Sequence, residues 1–208
     1  MAGDRLPRIA DWTLRVPGKT PYLAFLGRIS PEKRVDRAIA IARYTGIQLK
    51  IAAKVDAVDY EYFETKIKPL LDHPLIEFIG EIAEAEKNEF LGRALALVFP
   101  IDWPEPFGLV MIEAMACGTP TIAYRNGSVP EILEHKKTGF IVDSLQSAVN
   151  AVNRVQFLSR HTCREVFERR FSASRMAHDY LSIYKALFLG KTDYDAEKLE
   201  FLEPPVLS

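Results

Sequence analysis

Short apolar runs alternate along this chain with longer segments whose apolar residues recur at helical spacing. The first run, Tyr22 to Gly27, follows Pro21 and predicts a strand, whereas the segment from Val35 to Tyr44 carries its apolar residues three and four positions apart and predicts a helix. The alternation then continues. It predicts strands over 49–53, 76–79, 95–99, 121–124 and 140–142, and helices over 60–71, 84–94, from about 107, and over 129–133, 146–158 and 175–187.

Nearly all-apolar strands that alternate with helices are typical of a parallel sheet covered on both faces. We therefore expect an α/β protein with a doubly wound, Rossmann-like parallel sheet, in which ligands bind at the carboxyl ends of the strands. The sequence has no repeat of solenoid period and no low-complexity tract. It predicts one domain over residues 21–188, an irregular segment over 1–20 and a loosely ordered tail over 189–208.

The composition narrows the class of protein without identifying a function. The 208 residues are 48% hydrophobic and 26% charged with a net charge of -1, which is ordinary for a globular protein and gives no electrostatic reason to expect nucleic acid or an anionic membrane as a partner. Cys117 and Cys163 form neither a disulfide framework nor a zinc motif, and this favours a reducing compartment. Without an apolar leader or an apolar run of roughly 18 residues, the sequence predicts a cytoplasmic protein.

The most unusual segment, 104–122, contains two carboxylates, Glu105 and Glu113. Within 109–117 Glu113 is the only polar residue, so the helix predicted here has no solvent-facing stripe and should be buried on most sides. A carboxylate there needs a cation, backbone donors or ligand hydroxyls, because leaving it unpaired costs several kcal/mol. The simpler alternatives are a core ion pair for Glu113 and a solvated charge for Glu105, which lies on a proline-flanked loop.

The turn between the two carboxylates is a candidate contact for a ligand. Phe107 and Gly108 lie at the predicted helix start, where backbone N–H groups are free to bind an anion or a sugar hydroxyl. Gly108 also lets a ligand approach the backbone closely. Glu113 follows six residues after Phe107, roughly 9 Å along a helix axis. The two carboxylates therefore suit the two ends of an extended ligand better than one small atom.

A second cluster follows the first strand. Ser30 is a good N-cap and Pro31 a good first helical residue, so the sequence predicts a helix start there. The helix dipole disfavours cations near that terminus unless an anion also binds there. This segment nevertheless contains three cations, and a diphosphate is an anion that would suit them. The alternative is that Lys33 and Arg34 are solvated and that Glu32 offsets their charge. The cations are Arg28, Lys33 and Arg34.

Several spaced motifs together resemble the donor-binding half of the group 1 (family 4) retaining glycosyltransferases. The resemblance runs in consistent order from Tyr22 to Leu187, which makes it far more specific than any one motif. The motifs are Gly-Arg-x-x-x-x-Lys at 27–33, Glu-x7-Glu at 105–113, Ala-Cys-Gly-Thr-Pro at 116–120, Gly-Ser-Val-Pro-Glu at 127–131 and Thr-Gly-Phe-Ile-Val at 138–142.

This resemblance implies a role for each matching residue. Arg28 and Lys33 stand where the family holds the donor diphosphate, and Glu113 where it binds the ribose hydroxyls. Glu105 stands near the hydroxyls of the transferred sugar, so the catalytic set would be Arg28, Lys33 and Glu105. The turn whose amides would contact sugar and phosphate is Phe107, Gly108 and Leu109.

The resemblance also implies chemistry without a metal ion or cofactor, because two cations and a helix terminus would stabilise the charge that builds on the leaving phosphate. Asp193 and Asp195 have the spacing of a metal-binding pair from a different glycosyltransferase fold. They lie in the predicted tail, however, and we do not expect them to act as such a pair.

Enzymes of this family have two Rossmann-like domains, and this chain matches only the donor-binding one. The whole enzyme would transfer a hexosyl group from a nucleotide-diphosphate sugar to an acceptor hydroxyl with retention of configuration. We expect the N-terminal acceptor-binding domain to come from the same or a separate polypeptide, and any peripheral membrane contact to come through it. The 208-residue chain alone should then have little transferase activity.

Two other functions stay open. One is a nucleotide-sugar epimerase of related architecture, against which the combination of the Gly-Arg loop with Glu-x7-Glu argues. The other is a non-catalytic module that binds a nucleotide or docks to a partner. A dinucleotide-dependent dehydrogenase is disfavoured, because no Gly-x-Gly-x-x-Gly follows the first strand.

Overall fold

The computed structural model describes residues 12–18 and 20–188 and contains a six-stranded sheet. The strands are β1 (Tyr22–Arg28), β2 (Gln48–Lys54), β3 (Ile76–Gly80), β4 (Ala96–Phe99), β5 (Thr121–Tyr124) and β6 (Gly139–Val142). The helices are α1 (Val35–Thr45), α2 (Glu84–Gly92), α3 (Leu109–Ala116), α4 (Val129–Ile132), α5 (Leu145–Val155), α6 (Arg160–Phe171) and α7 (Ala173–Phe188).

The order of the strands creates a crevice at one edge of the sheet. The order is β3-β2-β1-β4-β5-β6, and each neighbouring pair is parallel. The chain moves outward from β1 to β3 and then returns to place β4 on the other side of β1. Ligands of open α/β sheets bind where the winding direction reverses in this way. The predicted α/β fold with a parallel sheet is confirmed, and its reversal lies between β1 and β4.

The strands are continuous apolar runs in the sequence because both of their faces are buried. Every residue of β4, β5 and β6 is buried, as expected for parallel strands covered by helices. Residues 111–116 of α3 are buried too, which confirms that this helix has no solvent-facing stripe beyond its first turn.

A helix does start at Ser30 and Pro31 as predicted, but it is a 3-10 turn and not the beginning of an α-helix. Pro31–Lys33 forms a single 3-10 turn, the Ser30 side chain caps nothing, and α1 begins at Val35. Arg34 separates the two, because it adopts the left-handed conformation with φ 51°. That conformation costs a non-glycine residue roughly 1–2 kcal/mol. The Arg34 guanidinium pairs with Asp36 at 2.8 Å and with Asp102 at 2.7 Å.

Residues 57–70 also depart from the regular helix predicted over 60–71. The chain instead runs through a 3-10 turn, a single α-helical turn, a π-helical turn over Phe63–Ile67 and a second 3-10 turn over Lys68–Leu70. Pro69 accounts for the irregularity, because it has no N–H and its ring would collide with the carbonyl of Thr65 in a regular helix. The wider π turn accommodates that ring.

Helix α6 was not predicted from the sequence, although Cys163, Val166 and Phe167 are buried at helical spacing. Its arginines anchor neighbouring loops through backbone carbonyls. Arg160 donates to the carbonyl oxygens of Arg15 at 2.7 Å, Ala94 at 3.0 Å and Gly92 at 2.6 Å, and to Thr119 Oγ1 at 2.6 Å. Arg164 donates to the carbonyls of Trp12 and Ala116.

A second compact unit begins at Phe171, and the structure describes it as far as Phe188. It contains α7, in which Arg175 and Asp179 pair at 2.8 Å one turn apart. This helix agrees with the one predicted over 175–187. The predicted tail, with Asp193 and Asp195, lies outside the described residues.

We expect Arg160→Met to lower the free energy of unfolding by about 3 kcal/mol, because it leaves four acceptors without their donor in a buried region. Urea unfolding followed by circular dichroism measures this change. Arg43→Met, which replaces an exposed arginine of α1, is the matched control and should change stability by about 0.5 kcal/mol or less. Equal effects of the two substitutions would contradict the anchoring role.

Candidate functional site

The candidate site lies at the carboxyl edge of the sheet, where the loops after β1 and β4 meet. The backbone N–H of Asp102 donates to the carbonyl of Glu32 at 2.8 Å. Its carboxylate accepts from Arg34 at 2.7 Å and Arg37 at 3.0 Å. Asp102 therefore joins two loops that are distant in sequence. It was not predicted as a site residue, because no local pattern marks a residue whose partners lie in another loop.

A cleft of about 230 Å³ opens between these loops. It contains five of the seven predicted site residues, whereas Phe107 and Glu113 are not among the residues that line it. The lining residues are Phe25, Leu26, Gly27, Arg28, Lys33, Phe99, Glu105, Gly108, Leu109 and Val110.

Lys33 and Glu105 form an ion pair within the cleft. Lys33 Nζ lies 2.5 Å from Glu105 Oε2, and the two side chains are only 19% and 16% exposed. The indole N–H of Trp103 donates to the same oxygen at 3.3 Å. Of the described residues, none donates to Glu105 Oε1. The solvated charge considered for Glu105 is therefore wrong: its carboxylate is held by two donors and keeps one oxygen available.

Arg28 lines the cleft, and its side chain is 52% exposed. Its guanidinium lies 3.3 Å from Asp56 and 3.8 Å from Glu32, and Lys54 also pairs with Asp56 at 2.9 Å. The hydrogen bonds from Lys54 and Arg28 hold the pKa of the Asp56 carboxyl below its ordinary value. Because these pairs are partly exposed, solvent screens them, and an incoming anion can compete for Arg28.

The turn before α3 presents free backbone donors. Gly108 precedes the helix in the left-handed conformation with φ 67°, and a Cβ there would lie 2.5 Å from the Met111 side chain. In the described part of the chain, the backbone N–H groups of residues 107–110 have no acceptor. The helix starts two residues later than predicted, yet the turn still offers N–H groups next to the cations of the cleft. Phe107 itself is 54% exposed.

Glu113 lies on the second turn of α3 and is 8% exposed. It pairs with Lys87 of α2 at 3.1 Å, and Lys87 also pairs with Glu84 at 2.7 Å. Burial raises the pKa of the Glu113 carboxyl, and Lys87 opposes that rise. The structure therefore contains the ion pair that was the simpler alternative for Glu113, with a lysine as its partner. Lys87 itself was not predicted, and its one local signal is its spacing of three residues from Glu84.

The Gly-Ser-Val-Pro motif supports the backbone of Glu105. The N–H of Ser128 donates to the carbonyl of Glu105 at 2.9 Å, and the Asn126 side chain donates to the carbonyl of Ile101 at 2.8 Å. Gly127 has φ 52°, and a Cβ there would lie 2.3 Å from the carbonyl oxygen of Glu105. Only glycine allows this close approach of two backbone segments.

Within residues 12–18 and 20–188, no group of three or more His, Cys, Asp or Glu side chains could hold a metal ion. In the same residues no helix is long and apolar enough to cross a membrane.

Comparisons with known proteins agree with the fold and with the motifs. A family model described as "Glycosyl transferases group 1" matches residues 9–165. A probable sucrose-phosphate synthase of Thermosipho melanesiensis is 37% identical over 166 residues, which cover 75% of this chain and 39% of that protein. An N-acetyl-α-D-glucosaminyl L-malate synthase of Bacillus anthracis is 33% identical over 151 residues, which cover 67% of this chain and 38% of that protein.

Solved structures agree with the fold. A sucrose-phosphate synthase of Thermosynechococcus elongatus superimposes with a TM-score of 0.73 and 26% identity, over 84% of this chain and 47% of that one. The C-terminal domain of a group 1 glycosyl transferase from Francisella tularensis superimposes with a TM-score of 0.63 and 23% identity, over 76% of this chain and 89% of that domain. The chain spans less than half the length of the curated relatives that it matches.

We expect Gly127→Ala to lower the free energy of unfolding by about 3 kcal/mol, because the new Cβ must displace the backbone of Glu105. Gly46→Ala is the matched control, since Gly46 also has a positive φ but a Cβ added there would meet no atom within 4 Å. The control should lose only about 1 kcal/mol of conformational strain. Equal losses in urea unfolding would contradict a backbone collision at Gly127.

Proposed function

The chain belongs to the group 1 glycosyl transferases, as its motifs predicted, and we propose that it binds the nucleotide-diphosphate sugar for such an enzyme. The whole enzyme would transfer a hexosyl group to an acceptor hydroxyl with retention of configuration. The single observation that carries the proposal is the cleft at the β1–β4 reversal, in which Lys33, Glu105 and Arg28 lie beside the free N–H groups of the turn before α3.

The chemistry of this cleft suits both parts of a sugar diphosphate. Phosphate oxygens are bound well by Arg and Lys side chains and by the backbone N–H groups of a helix start. We assign the diphosphate to Arg28 and Lys33. The amides of the turn would contact phosphate and sugar; the turn consists of Phe107, Gly108 and Leu109.

The two carboxylates suit hydroxyl groups at different places along the donor. Glu105 lies in the cleft with Oε1 available, and we assign it to a hydroxyl of the transferred sugar. Glu113 lies further along α3 and outside the lining of the cleft, and we assign it to the ribose. This separation supports an extended donor more than two carboxylates acting on one atom.

The same cations support departure of the nucleoside diphosphate. As the bond to the sugar breaks, negative charge builds on the distal phosphate, and fixed cations and N–H groups stabilise that charge without rearranging. Lys33 is already held in place by Glu105 and lies 5.9 Å from the ring centre of Phe99. We propose that the reaction needs neither a metal ion nor a cofactor.

The acceptor would be bound by a second domain, since the family relatives are about twice as long or longer. We propose that this N-terminal, acceptor-binding domain comes from the same or a separate polypeptide, and that any membrane contact is made through it. A cytoplasmic location is part of the proposal, and the free, buried thiols of Cys117 and Cys163 support it.

We expect the chain to bind UDP, GDP or ADP in isothermal titration calorimetry. Lys33→Met should weaken that binding at least about tenfold, because it removes a charged contact to phosphate. Lys68→Met is the control, since Lys68 is also paired with a glutamate but lies in the irregular segment after β2. If none of the three nucleotides bound, a docking module would replace the proposed function.

We expect Glu105→Gln to bind the bare nucleoside diphosphate about three- to tenfold more tightly, because the carboxylate no longer competes with phosphate for Lys33. The corresponding nucleotide sugar should gain less, since it loses a charge-assisted hydrogen bond to its sugar. Calorimetry on both ligands measures the ratio of their affinities. An unchanged ratio would exclude contact between Glu105 and the sugar.

A further inference from the structure

The structure places an unassigned cation, Lys87, against the buried carboxylate of α3. Lys87 Nζ lies 3.1 Å from Glu113 Oε1 and 2.7 Å from Glu84 Oε2. The side chains of Lys87 and Glu113 are 23% and 10% exposed. Lys87 lies on α2, outside every motif of the family resemblance. Its ammonium group therefore connects two helices next to the proposed donor site.

Packing alone gives no reason for this ion pair. A buried ion pair seldom stabilises a protein more than apolar side chains of similar volume, because both charges must be desolvated. Residues 111–116 of α3 are otherwise apolar and buried, so an apolar residue at position 113 would suit the helix. The charge on Glu113 is more readily explained by a ligand than by stability.

The geometry leaves half of the carboxylate open. Lys87 meets Oε1, and among the described residues none hydrogen-bonds Oε2. Glu113 is also not completely buried, since 8% of its surface stays exposed. Glu84 pairs with the same ammonium group, so Lys87 is restrained by two carboxylates. One oxygen is thus immobilised while the other can accept a hydrogen bond.

We propose that Lys87 is a positioning residue of the donor site, which fixes Glu113 so that its free oxygen accepts hydroxyl protons of the donor's ribose. This inference rests on the proposed nucleotide-sugar function and adds to it the residue through which Glu113 distinguishes ribose from a sugar without those hydroxyls. Lys87 acts through Glu113 and touches no reacting atom.

The test compares nucleotides with and without the two ribose hydroxyls. Calorimetry gives the affinities of the chain for UDP, GDP and ADP and for their 2′,3′-dideoxy counterparts. We expect the wild-type chain to bind one ribonucleotide about tenfold or more tightly than its dideoxy form. Lys87→Met should bring that ratio close to one and leave the dideoxy affinity nearly unchanged. Lys68→Met, which removes the cation of an exposed pair, should keep the wild-type ratio.

A double substitution separates positioning from a general effect on the fold. In the Glu113→Gln background, Lys87→Met should cause no further loss of ribonucleotide affinity, because its effect passes through Glu113. If Lys87→Met does not fold, Lys87→Ala is measured by the same criterion, since it also removes the donor to Glu113. Lys87→Gln, whose amide can still donate to Glu113, should instead keep part of the wild-type ratio. Urea unfolding verifies that each variant measured is folded.

Four results would overturn the proposal. In Lys87→Met, an unchanged ratio means that Lys87 does not position Glu113, and an equal loss for both nucleotide forms means that it acts through phosphate or the fold. Additive losses in the double variant mean that Lys87 and Glu113 act separately. Wild-type binding without a preference for ribose removes the role of Glu113 but retains the nucleotide site. The absence of any wild-type binding instead overturns the proposed function itself.

Discussion

The parallel pairing of β1 with β4 is the constraint on which the whole candidate site depends. Lys33 and Glu105 are 72 positions apart in the chain, and they meet because their loops leave adjacent strands at the same edge of the sheet. Parallel strands must all end at one edge, so side chains after different strands can converge there. Asp102 then joins the two loops through a backbone hydrogen bond and two arginines. The relative position of the loops that form the cleft therefore does not depend on the strand ends alone.

A common arrangement links the two carboxylates of the site. Each glutamate meets a lysine from another element, Lys33 for Glu105 and Lys87 for Glu113, and each lysine uses one carboxylate oxygen. The second oxygen of each glutamate accepts no hydrogen bond from the described residues. Such pairing reduces the cost of holding a negative charge at low exposure, and it orients the charge before a ligand arrives. In the free protein, the charge of each glutamate is thus balanced by a lysine, and the cations and hydrogen-bond acceptors of the candidate site are already in place.

Local patterns predicted most of the fold, and five of the seven residues predicted for the site line one cleft. Short apolar strands predicted the parallel sheet, and the motif residues of the β1 and β4 loops do come together. The errors occurred where a local preference was overruled. Ser30 and Pro31 favour a helix start, but they begin only a 3-10 turn, because the left-handed conformation of Arg34 separates that turn from α1. The many charged residues of α6 obscured its apolar spacing.

The sequence by itself determined the order of strands and helices, the burial of α3 and the residue types present at the sheet edge, since these follow from periodicity and from motifs within short segments. Only the tertiary structure decided which charges meet: Lys87 with Glu113, Asp102 with two arginines, and Gly127 against the backbone of Glu105. The physical reason is that an ion pair or a close backbone approach depends on the distance between segments that are remote in the chain. Strand order and loop path fix that distance, and no local pattern records it.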